Sequence, residues 1–228
     1  MKGSYVVVKP LIVVWVTGVI LAGFLVPVPR IPILEHTARN LYFHVPLWFA
    51  LMAAFLLSGF YSARVLANGR TEDDIRASQA ALVGMAFGIM GLVTGMVWAR
   101  FTWYVGTNKW WNNDPKQVMA AVQLMIYAAY FVLRNSFDEP TRRARVSAVY
   151  NLFAAATVPF LLYVLPRQME SLHPGAEGNP AFDEITDPAM RLIFYPAIIG
   201  TISLFWWIYS QRVRIAVIEE TVENELST

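Results

Sequence analysis

The sequence Trp98-Ala-Arg-Phe-Thr-Trp-Tyr-Val-Gly-Thr-Asn-Lys-Trp-Trp-Asn-Asn-Asp-Pro-Lys116 separates two strongly apolar segments of the chain. It contains four of the eight tryptophans and three cationic residues, so it is too polar to cross a bilayer. Tryptophan and tyrosine favour the membrane interface, where one part of the side chain is apolar and the other is hydrated. We therefore expect this stretch to form an aromatic surface that holds a flat, hydrophobic, anionic ligand.

The composition of the whole chain indicates an integral membrane protein. Of its 228 residues, 57% are hydrophobic and only 15% are charged, and the mean hydropathy is +0.45, which is too apolar for an ordinary water-soluble domain. The chain has no cysteine, which excludes disulfides, iron–sulfur clusters and thiolate metal sites within it. It contains no Gly-x-x-x-x-Gly-Lys-Ser/Thr phosphate loop, and nothing in its pattern indicates a nucleic-acid partner.

Hydrophobic runs on both sides of the tryptophan-rich stretch are long enough to span a membrane as helices. They predict an all-α integral membrane protein with a bundle of six transmembrane helices, in which an external Trp-rich loop joins the third and fourth. We expect residues 1–228 to form a single membrane domain. The predicted helices cover approximately residues 5–28, 43–65, 80–98, 117–133, 147–165 and 191–210. Prolines rather than a cleavage site follow the first run, so we interpret it as a retained helix and not as a signal peptide.

The distribution of Lys and Arg predicts the orientation of these helices. The N-terminus, the connections at 64–79 and 134–146 and the C-terminal tail carry eleven of these residues, against seven on the other side. The positive-inside rule then places both termini in the cytoplasm. We expect a multi-pass protein of the bacterial inner membrane, with the tryptophan-rich stretch at the periplasmic face.

Two features of the third helix region are interpreted as structural. Gly84, Gly88, Gly91 and Gly95 form small-xxx-small spacings that allow a neighbouring helix to approach closely. The charged segment 64–76 is typical of a solvated cytoplasmic face. Ionisable residues are almost absent from the apolar runs, which argues against an ion-coupled secondary transporter.

Two of the three histidines are candidate ligands on the same predicted side as the tryptophan-rich stretch. His44 is expected at the outer lip of the second helix, with Pro46 in its first turn. His173 belongs to the Pro- and Gly-rich segment 171–180, whose composition is typical of a structured loop. His36 has charged neighbours and is interpreted as a solvated rim residue.

Two neutral imidazoles that face each other can bind one iron axially, and a porphyrin between them needs aromatic walls and cations for its propionates. Candidate wall residues are Trp103, Tyr104, Trp110 and Trp111. Candidate propionate partners are Arg100, Lys109, Lys116 and Arg167. The alternative is an ordinary aromatic belt that anchors the protein, and it explains Trp48, Trp98, Trp206 and Trp207 well.

Asp114 has a predicted structural role. The sequence Asn113-Asp-Pro-Lys-Gln117 combines an aspartate N-cap, a proline at the first helical position and a glutamine at the capping-box position. Asp114 is therefore expected to begin the fourth helix and to end the aromatic stretch.

These residues resemble a known pattern, an external tryptophan-rich segment that is flanked by helices and by histidines. The matching residues are Gly106, Trp110, Trp111, Asp114, Pro115 and Lys116, preceded by Tyr42-Phe-His-Val-Pro46 and followed by Ser171-Leu-His-Pro-Gly175. The pattern is similar to the WWD segment of the haem-handling membrane proteins of cytochrome c maturation, CcmC and its relatives CcsA and CcmF. Six helices resemble CcmC rather than its longer relatives. The sequence departs from the usual segment at Val105, at Asn113 and in the extra residues before Trp110.

The resemblance implies a haem-binding and transfer component rather than an enzyme. It implies that His44 and His173 bind the iron of haem b, held transiently as cargo, while the tryptophan-rich stretch, including Asp114, lies against the porphyrin. The implied recipient is the haem chaperone CcmE, and the implied partners are CcmD and the transporter subunits CcmA and CcmB, of which CcmA hydrolyses ATP.

Two other functions remain open at this stage. A cytochrome c haem lyase of the CcsA or CcmF type would attach haem covalently to apocytochrome, but the chain offers only two well-placed histidines. Alternatively, the tryptophan-rich stretch only binds another protein in the membrane, in which case no haem would copurify.

Overall fold

The computed structural model describes residues 2–30, 34–103, 109–111, 113–173, 185 and 187–226. These residues form helices and connecting turns, without a strand among them. The α-helices are α1 Lys2–Leu25, α2 Leu41–Asn68, α3 Thr71–Thr102, α4 Pro115–Asn135, α5 Pro140–Pro159 and α6 Pro188–Leu226. Six helical segments are long and apolar enough to cross a membrane. The prediction of an all-α, multi-pass membrane protein is confirmed.

Several helices extend beyond the apolar runs that predicted them. A 3-10 helix, Glu35–Asn40, leads directly into α2. Only Gly69 and Arg70 separate α2 from α3, and Gly69 adopts φ 67°, a left-handed conformation that glycine accepts without strain. An apolar run identifies only the part of a helix that is long and apolar enough to lie in the membrane. The helical backbone continues beyond that part into polar residues.

The core is built around α2, which packs against α3, α5 and α6. Phe55 of α2 stacks on Tyr127 of α4, with ring centroids 3.5 Å apart and planes 8° from parallel. Helix α1 packs mainly against α6 and is largely exposed on its other faces. This places α2 and α3 at the centre of the bundle.

The glycines of α3 do not all serve the same purpose. A Cβ added to Gly84 would meet the ring of Phe55 at 2.7 Å, and one added to Gly88 would meet Leu51 of α2, so these two glycines allow the close helix packing that was predicted. By contrast, a Cβ on Gly91 would meet the indole of Trp48 at 2.9 Å, and one on Gly95 would meet the imidazole of His44 at 2.8 Å. The second pair therefore makes room for the rings of Trp48 and His44 as well as for a helix.

Segment 64–76 is exposed from residue 66 to residue 72, as expected of a solvated face, but the aspartates at the start of α3 are buried, which corrects that interpretation for these two residues. Asp73 and Asp74 are only 3% and 7% exposed. Asp74 accepts two hydrogen bonds from Arg134 of α4, at 2.7 and 2.6 Å, and Asp73 lies 3.1 Å from Arg64 Nε. A carboxylate held by a bidentate arginine is stable out of water, so these acids link helices.

Helix α5 changes its pitch near the histidine loop. Its α-helical part ends at Pro159, followed by a π-helical turn, Phe160–Val164, and a short 3-10 turn, Leu165–Arg167. A proline has no N–H to donate, so Pro159 interrupts the regular hydrogen-bond ladder. Single π turns frequently occur at functional sites, and this one precedes the segment that carries His173.

Candidate functional site

The side chain of His44, a residue of α2, packs against α3 and is 4% exposed. It is therefore more deeply buried than the predicted position at the outer lip of the helix. Helix α2 begins at Leu41, so the prediction that Pro46 occupies the first turn is wrong. The helix begins earlier because the 3-10 helix Glu35–Asn40 continues into it. His44 therefore belongs to the rigid, hydrogen-bonded start of α2 and not to a loop.

Two hydrogen bonds define which nitrogen of His44 carries the proton. The indole N–H of Trp48 donates to Nε2 at 3.3 Å, so Nε2 must hold a lone pair, since an indole N–H can only donate. In the neutral ring the proton is then on Nδ1, which lies 3.0 Å from Oγ1 of Thr94. The Thr94 hydroxyl in turn donates to backbone carbonyls of α3, at 2.9 Å from Met90 O and 3.0 Å from Gly91 O.

His173 approaches His44 from the segment after α5. The two ring centroids are 6.2 Å apart, with planes inclined at 50°. Trp103, which directly follows α3, also packs against His173, with a centroid distance of 5.2 Å. The two predicted ligands, which are far apart in sequence, therefore meet in one place beside an aromatic ring.

The segment that carries His173 is held by Asp114. Asp114 is 5% exposed, and its Oδ1 accepts from the backbone N–H of Lys116 at 3.0 Å, which confirms the predicted N-cap. Its Oδ2 accepts from the hydroxyl and backbone N–H of two consecutive residues, Ser171 and Leu172, both at 2.8 Å. The N–H of His173 donates to Ser171 Oγ at 3.0 Å. One carboxylate thus joins the start of α4 to the histidine segment, a function beyond capping.

The surroundings of His173 favour its neutral form. Burial, followed by the positive charge of Lys116, lowers the pKa of His173 from 6.5 to about 4, against the opposing effect of Asp114. Both causes act on the charged ring, because imidazolium loses hydration and is repelled by the ammonium group. At neutral pH the ring is therefore unprotonated, the form in which imidazole binds a metal.

A cavity of about 190 Å³ lies beside the two histidines. Its walls come from α2, α3, α4 and the segment after α5, and they are mainly apolar. Predicted site residues that line it are His44, His173, Trp103, Asp114, Lys116 and Arg167. The guanidinium of Arg167 stacks over the ring of Tyr163 in the π-helical turn, 3.7 Å from its centroid, which brings a cation to the edge of an apolar cavity.

Four other predicted residues do not line this cavity. Trp110 and Trp111 are 49% and 37% exposed, and the guanidinium of Arg100 lies 5.6 Å from the centroid of the Trp110 ring. Lys109 is also exposed. Tyr104 and Gly106 fall outside the described residues. The tryptophan-rich stretch therefore contributes Trp103 to the cavity, whereas its two consecutive tryptophans face outward.

Trp48 and Trp98, which the alternative of an ordinary aromatic belt explained well, both contact His44 in the structure. Trp48 donates to His44, while the Trp98 ring packs edge-on against His44, with centroids 5.8 Å apart. The Trp98 indole donates to Thr37 Oγ1 at 3.0 Å. One signal for Trp48 was available, since it follows His44 by four residues and therefore shares its helix face. No comparable pattern links Thr94 or Trp98 to His44.

Comparison with known proteins points to one family. The sequence profile of the family described as "Heme exporter protein C" (CcmC) matches residues 4–228. The chain is 28% identical over 127 residues to the heme exporter protein C of Bradyrhizobium diazoefficiens, which covers 56% of this chain and 47% of that protein. It is 25% identical over 169 residues to the protein of the same name from Paracoccus denitrificans, covering 74% and 68%.

A shorter similarity links the chain to a second group. It is 37% identical over 82 residues to the cytochrome c biogenesis protein CcsA of Prochlorococcus marinus, covering 36% of this chain and 25% of that protein. The chain thus spans about half of the Bradyrhizobium relative and a quarter of the CcsA protein.

Proposed function

This chain belongs to the haem exporter protein C (CcmC) family, and we propose that it binds haem at the outer face of the membrane through His44 and His173. It delivers that haem to the chaperone CcmE during the maturation of c-type cytochromes. The haem is cargo, taken up and passed on, and the chain acts as a binding and transfer component rather than as an enzyme.

The observation that carries this proposal is the approach of the two imidazoles. Two nitrogens that each bind one metal at about 2 Å are roughly 4 Å apart. The distance from each nitrogen to its ring centre brings the ring centres close to the observed separation of 6.2 Å. Neutral imidazoles at this spacing, with Trp103 beside one of them, are suited to axial coordination of one haem iron.

The size of the cavity bears on how haem is held. Its volume of about 190 Å³ is below the roughly 300–1,000 Å³ of typical small-molecule pockets. A porphyrin therefore extends beyond it, toward the exposed rings of Trp110 and Trp111. Partial exposure suits a cargo that has to be handed to another protein.

The charges around the cavity suit the anionic edge of haem b. Lys116 and Arg167 line the cavity, and both carry the charge that a propionate requires. Arg100 and Lys109 belong to the more exposed part of the tryptophan-rich stretch and are assigned to a propionate that projects outward. The apolar walls bind the porphyrin ring itself.

The proposed setting is a haem export complex of the bacterial inner membrane. Both termini of the chain lie in the cytoplasm, as the distribution of Lys and Arg indicates. CcmA and CcmB form the transporter, with ATP hydrolysis in CcmA, and CcmD assists the transfer to CcmE. In this setting, the site formed by His44 and His173 lies on the periplasmic side, where CcmE receives haem.

The test is the visible spectrum of the detergent-solubilised full chain titrated with haem. The wild-type protein is expected to give the Soret band of six-coordinate, bis-imidazole haem. His44→Ala and His173→Ala each remove a ligand, so the loss of affinity should exceed the roughly 10–100-fold typical of outer-shell partners. His36→Ala is the matched control, because His36 is exposed on the 3-10 helix and should leave the spectrum unchanged. A wild-type spectrum in both ligand variants would overturn the assignment.

The similarity to CcsA proteins supports a second candidate, a haem lyase that attaches haem to apocytochrome. It predicts covalent haem–cytochrome formation when this chain and an apocytochrome are produced in cells without other maturation factors. Haem that stays non-covalently bound to the chain in those cells favours transfer. Without any haem in the purified protein, a purely protein-binding role replaces both.

A further inference from the structure

The hydrogen-bonded row Trp48–His44–Thr94 contains a feature that haem binding alone does not explain. The nitrogen of His44 that carries the lone pair, Nε2, already has a partner in the Trp48 indole at 3.3 Å. Nδ1 is occupied by its own proton, directed at Thr94. Nε2 is therefore the nitrogen available to a metal, and Trp48 covers it.

The position of Trp48 is defined on both sides. Trp48 and His44 are four residues apart on α2, so their rings share one face of the helix. Facing them, Gly91 of α3 leaves room for the indole, because a Cβ there would lie 3.2 Å from Trp48 Nε1 and 2.9 Å from Cε2. Trp48 also lines the cavity beside the two histidines. The indole is thus next to the space that haem enters.

We infer that Trp48 is a displaceable cap on the metal-binding nitrogen of His44, and that Thr94 is the positioning residue that keeps the proton on the other nitrogen. This inference rests on the proposed haem-binding function. On haem binding, the hydrogen bond from Trp48 to Nε2 breaks and the Nε2 lone pair binds the iron. The bond from Nδ1 to Thr94 is retained, and a ligating histidine held in this way by its second nitrogen is fixed in orientation.

The cap has a physical consequence for a carrier. In the haem-free protein it satisfies a buried lone pair that would otherwise lose its hydrogen bond to water. In the haem-bound protein that bond is lost, so part of the coordination energy is offset and haem is held less tightly. A lower affinity for haem favours its transfer to the next protein.

The first experiment uses the haem-free full chain and follows the imidazole nitrogens by NMR after labelling histidine with ¹⁵N. In the wild type, His44 should give a protonated Nδ1 and an unprotonated Nε2. Thr94→Val removes the hydroxyl that accepts from Nδ1–H and should raise the population of the other form, while Thr94→Ser should restore the wild-type pattern. A protonated Nε2 in the wild type would overturn the inference without reference to haem.

The second experiment measures haem affinity from the Soret band. Trp48→Phe keeps an aromatic ring and removes the N–H, so affinity should rise by about two- to tenfold, the worth of one hydrogen bond. Thr94→Val should lower affinity by about 10–100-fold, with recovery in Thr94→Ser. Trp15→Phe is the matched control, since it also loses one indole hydrogen bond, here to Pro196 O at 2.9 Å, and should not change affinity.

The outcomes separate this inference from the proposed function. Haem that binds with the same affinity to wild type and to Trp48→Phe overturns the cap and leaves the proposed function intact. The absence of a Soret band from the wild type and from every variant overturns the proposed function and the cap with it.

Discussion

The two ends of α3 bury polar groups in opposite ways. At the aspartate end, defined by Asp73 and Asp74, the carboxylates are paired with arginines, and Asp74 holds Arg134 through two short bonds. At the histidine end, defined by His44 and His173, the centres of two imidazole rings lie 6.2 Å apart. At the aspartate end, arginines of the same chain satisfy the carboxylates. At the histidine end, both imidazoles can bind one metal.

The difference shows that buried polar groups can either stabilise the fold or provide ligands for another molecule. A buried ion pair neutralises its own charges and leaves nothing for a ligand. Two neutral imidazoles do not neutralise each other as an ion pair does, and the lone pair of each ring can bind a metal. At the histidine end, Trp48 donates to the ring of His44, while Ser171 donates to Asp114 and accepts from the backbone N–H of His173.

The largest effect is expected from breaking the aspartate end. Arg134→Met leaves the Asp74 carboxylate buried without its partner, so the free energy of unfolding should fall by about 3–5 kcal/mol. Denaturant unfolding of the detergent-solubilised protein measures this loss. Adding Asp74→Asn to the same chain should recover part of the stability, because the uncompensated charge is then removed.

The control for this prediction is an ion pair at the surface of the same end. Arg70 and Glu72 are 3.5 Å apart with side chains 57% and 45% exposed, and Arg70→Ala should change stability by less than about 1 kcal/mol. Equal losses in Arg70→Ala and Arg134→Met would contradict the distinction between a buried and a solvated pair.

The next effect tests the histidine end through Asp114. Asp114→Ala removes the acceptor of Ser171 and Leu172 as well as the helix cap. His173 should therefore be less well positioned, and haem affinity should fall by about 10–100-fold. The Soret titration described above measures this change.

Glu139 offers a matched control at the other end of the bundle. It caps α5 by accepting from the N–H groups of Thr141 and Arg142 at 2.7 and 2.6 Å, a role like that of Asp114 at α4. Glu139→Ala should weaken the start of α5 without changing haem affinity. If both variants leave haem affinity unchanged, the hydrogen bonds of Asp114 to Ser171 and Leu172 do not position His173 for haem.

The smallest effect compares two glycines of α3. A Cβ at Gly95 would stand 2.8 Å from His44 Cε1, so Gly95→Ala should displace the ring and reduce haem affinity by roughly 1 kcal/mol, about fivefold. Gly84→Ala instead crowds Phe55 and Ala54 in the core, and should lower stability by about 1–3 kcal/mol with unchanged haem affinity. Haem affinity that falls equally in both variants would mean that Gly95 acts only through packing.

The sequence predicted the parts of this molecule that depend on local pattern. The six spans follow from runs of apolar residues, and the start of α4 follows from the order of Asp114 and Pro115. His44 and His173 were selected because few residue types can bind a metal. Their approach in space agrees with that selection, while their role as ligands stays a prediction.

The predictions from sequence were wrong mainly for residues whose environment depends on contacts with distant parts of the chain. Asp73 and Asp74 were predicted to be solvated because their neighbours in sequence are charged. In the structure, Arg134 of α4 forms a salt bridge with Asp74. Trp48 and Trp98 read as anchors because indoles favour the interface. The contact of Trp98 with His44 depends on how α2 and α3 pack, whereas the contact of Trp48 with His44 lies within α2.

The amino-acid sequence by itself determined that the chain has six segments able to cross a membrane and which residue types could bind a metal, because hydrophobicity and side-chain chemistry are properties of single residues and short runs. Only the tertiary structure decided that Nδ1 of His44 lies within hydrogen-bonding distance of Thr94, that Asp114 holds the segment of His173, and that Asp74 of α3 is paired with Arg134. Those relations join residues far apart in the chain, and they exist only once the packed helices bring them within hydrogen-bonding distance.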